Sequence, residues 1–437
     1  MEHHAQSVDD ALIGGLSYKL KEGASYITNR RSFSYFAQGG NDYKPSGVRV
    51  CKFHLTGDQW LDPSTFRIAF QLNNLDHDAL GSTYIQPLSW NPAIFFRRCR
   101  VIAGGQVIED IDDFNRLSTM LTTLKSGEEQ LMIATEGFGS FDDVYGDTAT
   151  DHRKTYLSFD SNRSGVVFQS RRVVFKPMLG LLNQEKLLPL RYCPIQIELE
   201  LVNNGADAVH VGGYDGDTHS ANWSITDIQA KCDLLTLDNA LDNEYASHLL
   251  SGKTLPINFS TWNHTNQSCN GDKNFSANIN RALTRLKSVF ITLQGTQTDW
   301  EKTCNEFYHP IQSKATDRYN IEDEHQYWVQ IGSKLIPEYP IKSLSESLSQ
   351  LRKTVGTPFH MFGVWYRSNK YVIGLDLEKV SGAGFSGIST KSGDLMTLNF
   401  RDCDVENLPG SIPKRVFCAL NYDVVLNILD SGVQYYD

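Results

Sequence analysis

Hydrophobic and polar residues alternate with a period of two along most of this chain. Across STFRIAFQL, Phe66, Ile68, Phe70 and Leu72 alternate with polar neighbours, and CPIQIELELV repeats the pattern with Ile195, Ile197, Leu199 and Leu201. Gln196, Glu198 and Glu200 fill the opposite face. A strand with one apolar and one wet face belongs to an antiparallel sandwich rather than a parallel sheet. Cys51, Phe53 and Leu55, then IFFRRCRVIAGG, TYLSF, GVVFQSRRVVF and the closing run ITDIQAKCDLLTL supply the other strands of the first half. A Gly- and Asp-rich segment over 203–221 reads as an exposed loop. In the second half FSANINRAL and RLKSVFITL are expected as the first two strands, followed by HQYWVQIG, FHMFGVWY, KYVIGLDL, DLMTLNF and FCALNYDVVLNIL. The terminal GVQYYD is too short to place.

The strand text is broken twice by the same motif. Moving 227 positions along without a gap, Gly105 lands on Gly332, Ile108 on Leu335, Leu117 on Leu344, Leu121 on Leu348, Leu124 on Leu351 and Lys125 on Arg352. Each copy, 105–125 and 332–353, follows a strand, passes a Gly turn and enters a helix with leucines at i, i+4 and i+7. Ser343 with Glu346 predicts a capping box on the second helix, and Asp112 or Asp113 a cap on the first. A third helical stripe, Leu237, Leu241, Tyr245 and Leu249, ends at Gly252.

One module has been duplicated and fused. The expected fold is all-β: two tandem antiparallel eight-stranded jelly-roll sandwiches, each with a helix-bearing loop. The expected division is an N-terminal arm over 1–45, a first roll over 46–236, a linker helix over 237–252 and a second roll over 253–437. The arm mixes Lys19, Lys21, Arg30 and Arg31 with Tyr18, Tyr26, Phe33, Tyr35 and Phe36, but its acids leave it neutral, so it reads as a docking arm.

Charge and cysteine content narrow the function. A formal net charge of -10 argues against a polyanion as the main partner, since phosphate binding needs clustered Lys and Arg. MEHHAQSVDD carries acids where a secretion signal needs a basic start, and no apolar run approaches the roughly 20 residues of a spanning helix. The 8 cysteines lack any CxxC pair and read as reduced core thiols. Six Asn-x-Ser/Thr sequons, at Asn162, Asn222, Asn258, Asn263, Asn266 and Asn274, read as polar loop text.

Candidate chemistry is sparse. Residues 382–387 spell GxGxxG, but the text after them is strand rather than the helix a pyrophosphate site requires. No GxSxG, HExxH or P-loop occurs. Glu109, Asp110, Asp112 and Asp113 could hold a divalent cation, but they equally suit a helix N-terminus, and the second copy does not repeat them. His152, His210, His219, His264, His309 and His360 include no His-x-His pair of the kind a two-domain cupin uses. We therefore assign no catalytic, cofactor-binding or metal-binding residue and no cofactor. A tandem lectin would use exposed aromatics such as Trp262, Tyr214 or Trp365. That reading and the two-domain cupin enzyme are the alternatives.

The two Gly–helix copies, the run DLLTLDNALDNEY after the first roll and the terminal YYD carry a resemblance. In plan the chain resembles the double jelly-roll major capsid proteins of the adenovirus and tailless-phage lineage, and its length is similar to compact members from polinton-like viruses and virophages. The resemblance implies a non-enzymatic virion protein that forms homotrimers of pseudo-hexameric outline and tiles an icosahedral DNA-virus shell. Its implied partners are neighbouring capsomers, penton and minor or cement proteins, with no strong nucleic-acid binding.

Overall fold

The computed structural model describes residues 26–76, 83–138, 170–209, 218–269, 272–294, 307, 325–356, 366, 370–380, 385–391, 395–403 and 414–437. TYLSF, all but the last residue of FHMFGVWY and residues 382–384 of the GxGxxG stretch lie outside these residues.

The first half contains β1 (Ile27–Phe36), β2 (Val50–Leu55), β3 (Trp60–Asn74), β4 (Phe96–Ala103), β5 (Gln106–Ile111), α1 (Phe114–Thr123), α2 (Gly127–Glu136), β6 (Ser170–Phe175), β7 (Ile195–Leu201) and β8 (Trp223–Leu237). Two sheets result, with strand orders β1-β8-β3-β6 and β2-β7-β4-β5. That pairing of first with last and second with next-to-last strands is the eight-stranded jelly roll. Phe66, Ile68, Phe70 and Leu72 of β3 face Phe53 and Ile197 of the other sheet's strands in one core, all at 0% exposure.

Helix α3 (Asn239–Leu250), capped by Asp238, crosses to the second half, and Gly252 follows at φ +79°. Its side chains are exposed or half-buried apart from the buried Leu249, and Tyr245 lies against Trp60. The second half repeats the plan with β9 (Leu255–Ser268), β10 (Phe275–Ile279), β11 (Leu286–Gln294), β12 (Gln326–Ile331), β13 (Lys334–Ile341), α4 (Leu344–Val355), β14 (Ile373–Asp376), β15 (Met396–Arg401) and β16 (Arg415–Leu429). Its sheets run β9-β16-β11-β14 and β10-β15-β12-β13, the same order strand for strand. β17 (Gly432–Tyr436), from the unplaced GVQYYD, folds back on the end of β16.

Four expectations need correction. Ile27–Phe36, inside the expected arm, is a strand paired along β8; it lacks a period because both its faces are largely exposed. The first strand of the second roll is β9, ahead of FSANINRAL; its Asn, Thr and His content hid it. The sequons Asn258, Asn263 and Asn266 sit on that strand rather than in loops. The Gly turns also lead first into β5 and β13, and only then into helices. Gly104 and Gly105, both at positive φ, close the first hairpin between Ala103 and Gln106, and Gly332 opens the second turn between Ile331 and Lys334. The copies therefore superpose Gly104 on Gly332 and cap Asp113 on Ser343, so the ungapped match is one residue out at the turn and three at the helix.

Candidate interface: the seam between the two rolls

The repeated hairpin–helix unit of the first roll lies against the second roll. Helix α1 has eight of its ten residues buried, whereas its counterpart α4 buries Ser347 and Leu351 alone. The difference comes from what lies beyond each helix. α1 is trapped between two rolls and α4 has one.

Arg116 is the central contact. It is 2% exposed and donates from Nη2 to Thr292 Oγ1 at 3.1 Å and to the Leu293 carbonyl at 3.4 Å. Its guanidinium carbon sits 4.0 Å from the Phe417 ring centre and 5.0 Å from that of Phe307. Aromatic faces and neutral oxygens let a cation be buried here without losing all of its solvation. One turn earlier, Asp113 adopts a left-handed conformation, φ 47°, and makes no side-chain cap to its own helix. Its carboxylate instead accepts from Asn266 Nδ2 at 2.7 Å and lies 3.5 Å from His264 Nδ1, both on β9. Burial pushes the Asp113 carboxyl up, but His264, Asn266 and Arg116 outweigh it and hold its pKa below the ordinary value. The expected cap of the second helix is present: Ser343 accepts from the Glu346 N–H, while Glu346 reaches the Lys342 N–H rather than that of Ser343.

Glu109, on β5, is 1% exposed. Its Oε1 accepts from the backbone N–H of Gly180 at 2.7 Å and of Leu181 at 3.3 Å. Among the described residues neither Oε2 nor the fully buried Oγ1 of Thr261 on β9 has a well-formed hydrogen bond, but the two lie close enough for the Thr261 hydroxyl to favour the ionised carboxyl. Burial raises the carboxyl pKa to about 7, against the pull of those neighbouring donors. Gly180 is required, because a Cβ there would strike the Ser260 carbonyl and come within 2.7 Å of Glu109 Oε1. Beyond these contacts the seam opens into a cleft of about 490 Å³, walled by Trp262 and Phe290 on one side and by Leu121 and Phe175 on the other.

The acidic cluster read from the sequence does not form one site. Glu109 and Asp113 turn to the seam, Asp110 pairs with Arg98 at 2.6 Å, and Asp112 lies 3.5 Å from Arg97. Alternation along β5 sends Glu109 and Asp110 to opposite faces, and Asp112 and Asp113 lie beyond its end, at the start of α1. Among the described residues no three His, Cys, Asp or Glu side chains gather where a metal would bind. Phe385–Gly387, the described end of the GxGxxG stretch, leads to β15 rather than a helix. The seven described cysteines are free and buried.

Sequence reading missed a buried network in the second roll. Ser347 takes the helix position of Leu117 and contacts the hydroxyls of Tyr327 at 2.9 Å, Tyr366 at 3.0 Å and Tyr371 at 3.0 Å. Tyr371 also lies 2.8 Å from His325 Nε2, whose pKa burial pushes down to about 4. Where α1 is anchored by an apolar side chain, α4 is anchored by hydroxyls.

No protein-family model matches the chain, and no curated protein sequence matches it. Solved structures do. VP54 of the virus PBCV-1, as fitted into a reconstruction of the virophage Sputnik, is 12% identical with a TM-score of 0.58 over 96% of this chain and 98% of that one. A chain of the Sputnik virophage structure is 10% identical with a TM-score of 0.59, covering 96% and 90%. The Faustovirus major capsid protein is 8% identical with a TM-score of 0.56, covering 95% and 93%. The likeness is one of fold and runs through both rolls, so the chain has the double jelly-roll fold found in viral major capsid proteins.

Proposed function

We propose that this chain is the major capsid protein of an icosahedral DNA virus or related element, a structural protein rather than an enzyme. It assembles as a homotrimer with a pseudo-hexameric outline. The observation that carries the reading is two complete jelly rolls held by a buried seam, matching capsid proteins over nearly the whole length of each chain. A head-to-tail contact that closes under threefold rotation gives a finite block rather than a fibre. The block then tiles a shell, with neighbouring capsomers, penton and minor or cement proteins as partners, and the protein resides in the virion. In this reading the rolls occupy 46–236 and 253–437, the first extended by β1, and the helix within 237–252 is the link.

Light scattering during size exclusion of the full-length chain tests the proposal. A species near three times 49.2 kDa that persists on dilution is expected. A monodisperse monomer or dimer would overturn it.

A further inference from the structure

Duplication makes the intramolecular seam a template for a contact between chains. Each roll has one hairpin–helix unit and one first-strand sheet. Within the chain, the hairpin–helix of the first roll (β4–β5–α1) is covered by the sheet of the second (β9-β16-β11). Among the described residues that leaves two counterparts uncovered: the hairpin–helix of the second roll and the sheet of the first. Their burial shows it. β16 is buried on both faces over most of its length, while β8 alternates buried with partly exposed residues and β1 is largely exposed.

Residue equivalences sharpen the picture. Tyr339 stands two residues before the closing pair Tyr327–Ile341, as Glu109 stands two before Cys99–Ile111, but it lies in the irregular stretch between that pair and Val329–Ile336, where Glu109 is paired with Val101. Glu109 is sealed in the seam, whereas Tyr339 is 57% exposed, with Leu335 at 41% on the same strand. Counting from the helix caps, the exposed Glu346 occupies the position of the buried Arg116. On the receiving side β8 and β16 are both fifteen residues long, and aligning them end to end places Tyr35 (opposite Ala230) where Thr261 stands (opposite Tyr422). The same count places Phe33 at Phe259 and Phe36 at Trp262, and Phe33 and Phe36 are 38% and 66% exposed.

We infer that β13 and α4 of one copy dock on the β1–β8 sheet of a second copy, with Tyr339 meeting the Phe33–Tyr35 stretch and Phe36 entering the position Trp262 holds in the internal seam. The occupant is a second copy of this chain because the complementary surface is present on the chain itself, in the same fold elements that already fit one another. The inference rests on the trimeric reading and gives it a surface. This seam differs from the internal one. Accessible charged groups, the exposed Glu346 on one side and the half-buried Lys231 and exposed Arg172 on the other, stand where the internal seam buries Arg116. It suits protomers that stay soluble before they meet.

Full-length chains carrying Phe33→Cys or Tyr339→Cys test it, each measured by light scattering and then mixed, oxidised and run on a non-reducing gel. Because Tyr339 and Phe33 are exposed, both variants are expected to fold; the seven described native thiols are buried, and Cys304 is replaced by Ser in both variants to keep the background low. A linked pair is expected in the mixture and in neither variant alone. Tyr339→Asp is expected to lower the mass threefold with an unchanged circular dichroism spectrum, and Tyr339→Phe to retain the trimer. A wild-type trimer with no linked pair, or one that survives Tyr339→Asp, overturns this interface while the capsid reading stands. A wild-type monomer overturns both.

Discussion

Replacing Glu109 with Gln separates the packing of the seam from its charge. The carboxyl pKa is about 7 in the folded protein against an ordinary 4.5. The folded state therefore holds its proton after the unfolded chain has released it, so stability falls as pH rises from about 4.5 to about 7 and then levels off. At ~1.4 kcal/mol per pH unit the loss is about 3 kcal/mol. Gln keeps an oxygen for the Gly180 and Leu181 N–H groups and adds an amide that can donate to Thr261, as protonated Glu109 would. The other titratable groups near Glu109, the thiol of Cys99 and the hydroxyl of Tyr422, are both shifted upward and stay neutral over this range. Glu109→Gln should match wild type near pH 4.5 and exceed it by up to about 3 kcal/mol at pH 8. For a chain of 437 residues unfolding as one unit, that is a Tm difference of roughly 3 °C. Thermal melts of both proteins between these limits read it directly. A difference that does not change with pH, or a wild type that gains on the variant at high pH, would refute a buried, proton-holding carboxyl at the seam.

Other consequences are simpler. Ser347→Ala leaves three buried tyrosine hydroxyls short of a partner and should cost about 1–3 kcal/mol in urea unfolding; an unchanged midpoint would show that the network relaxes freely. Gly180→Ala forces a methyl group against the Ser260 carbonyl and Glu109 and should destabilise by about 1–3 kcal/mol or more, read as a lower Tm. Asp113 has a depressed pKa, so its contribution is full above the ordinary 3.8 and is lost as pH falls further. Asp113→Asn should therefore weaken the protein at neutral pH and narrow its gap to wild type on the acid side, measured by melts at pH 2–6.

Strands whose two faces meet different surroundings were legible, as in Ile195–Leu201 or Trp223–Leu237, because burial alternates along them. β1 and β9 were not, for opposite reasons. β1 exposes most of both faces, so no residue type is selected at every second position. β9 turns Ser260, Trp262 and His264 toward the other roll, so polar letters stand where a core-facing pattern was sought. The duplicated helix could be found from its leucines. Its register could not, since Phe114 and Leu117 of α1 correspond to Leu344 and Ser347 of α4, and the leucines that match by counting fall on different turns. Glu109 looked like one acid among four, because the Gly180 and Leu181 N–H groups and the neighbouring Thr261 hydroxyl are brought to it only by the folded chain.

The second roll's outer sheet face also bears on the order of events at the ribosome. Phe290 and Phe417 on that face need the first roll as cover, while the first roll's own outer face carries a lattice of polar pairs such as Arg30–Asp233, Gln71–Ser170 and Asn73–Thr226. The half that emerges first is thus the half whose sheet can stand in water alone, which suits the general order in which domains fold as units during synthesis, the N-terminal one first. Reversing the two halves in the gene would release the unprotected sheet first, and the yield of soluble protein from such a permuted chain, compared with the natural order, would reveal whether synthesis relies on that sequence of events.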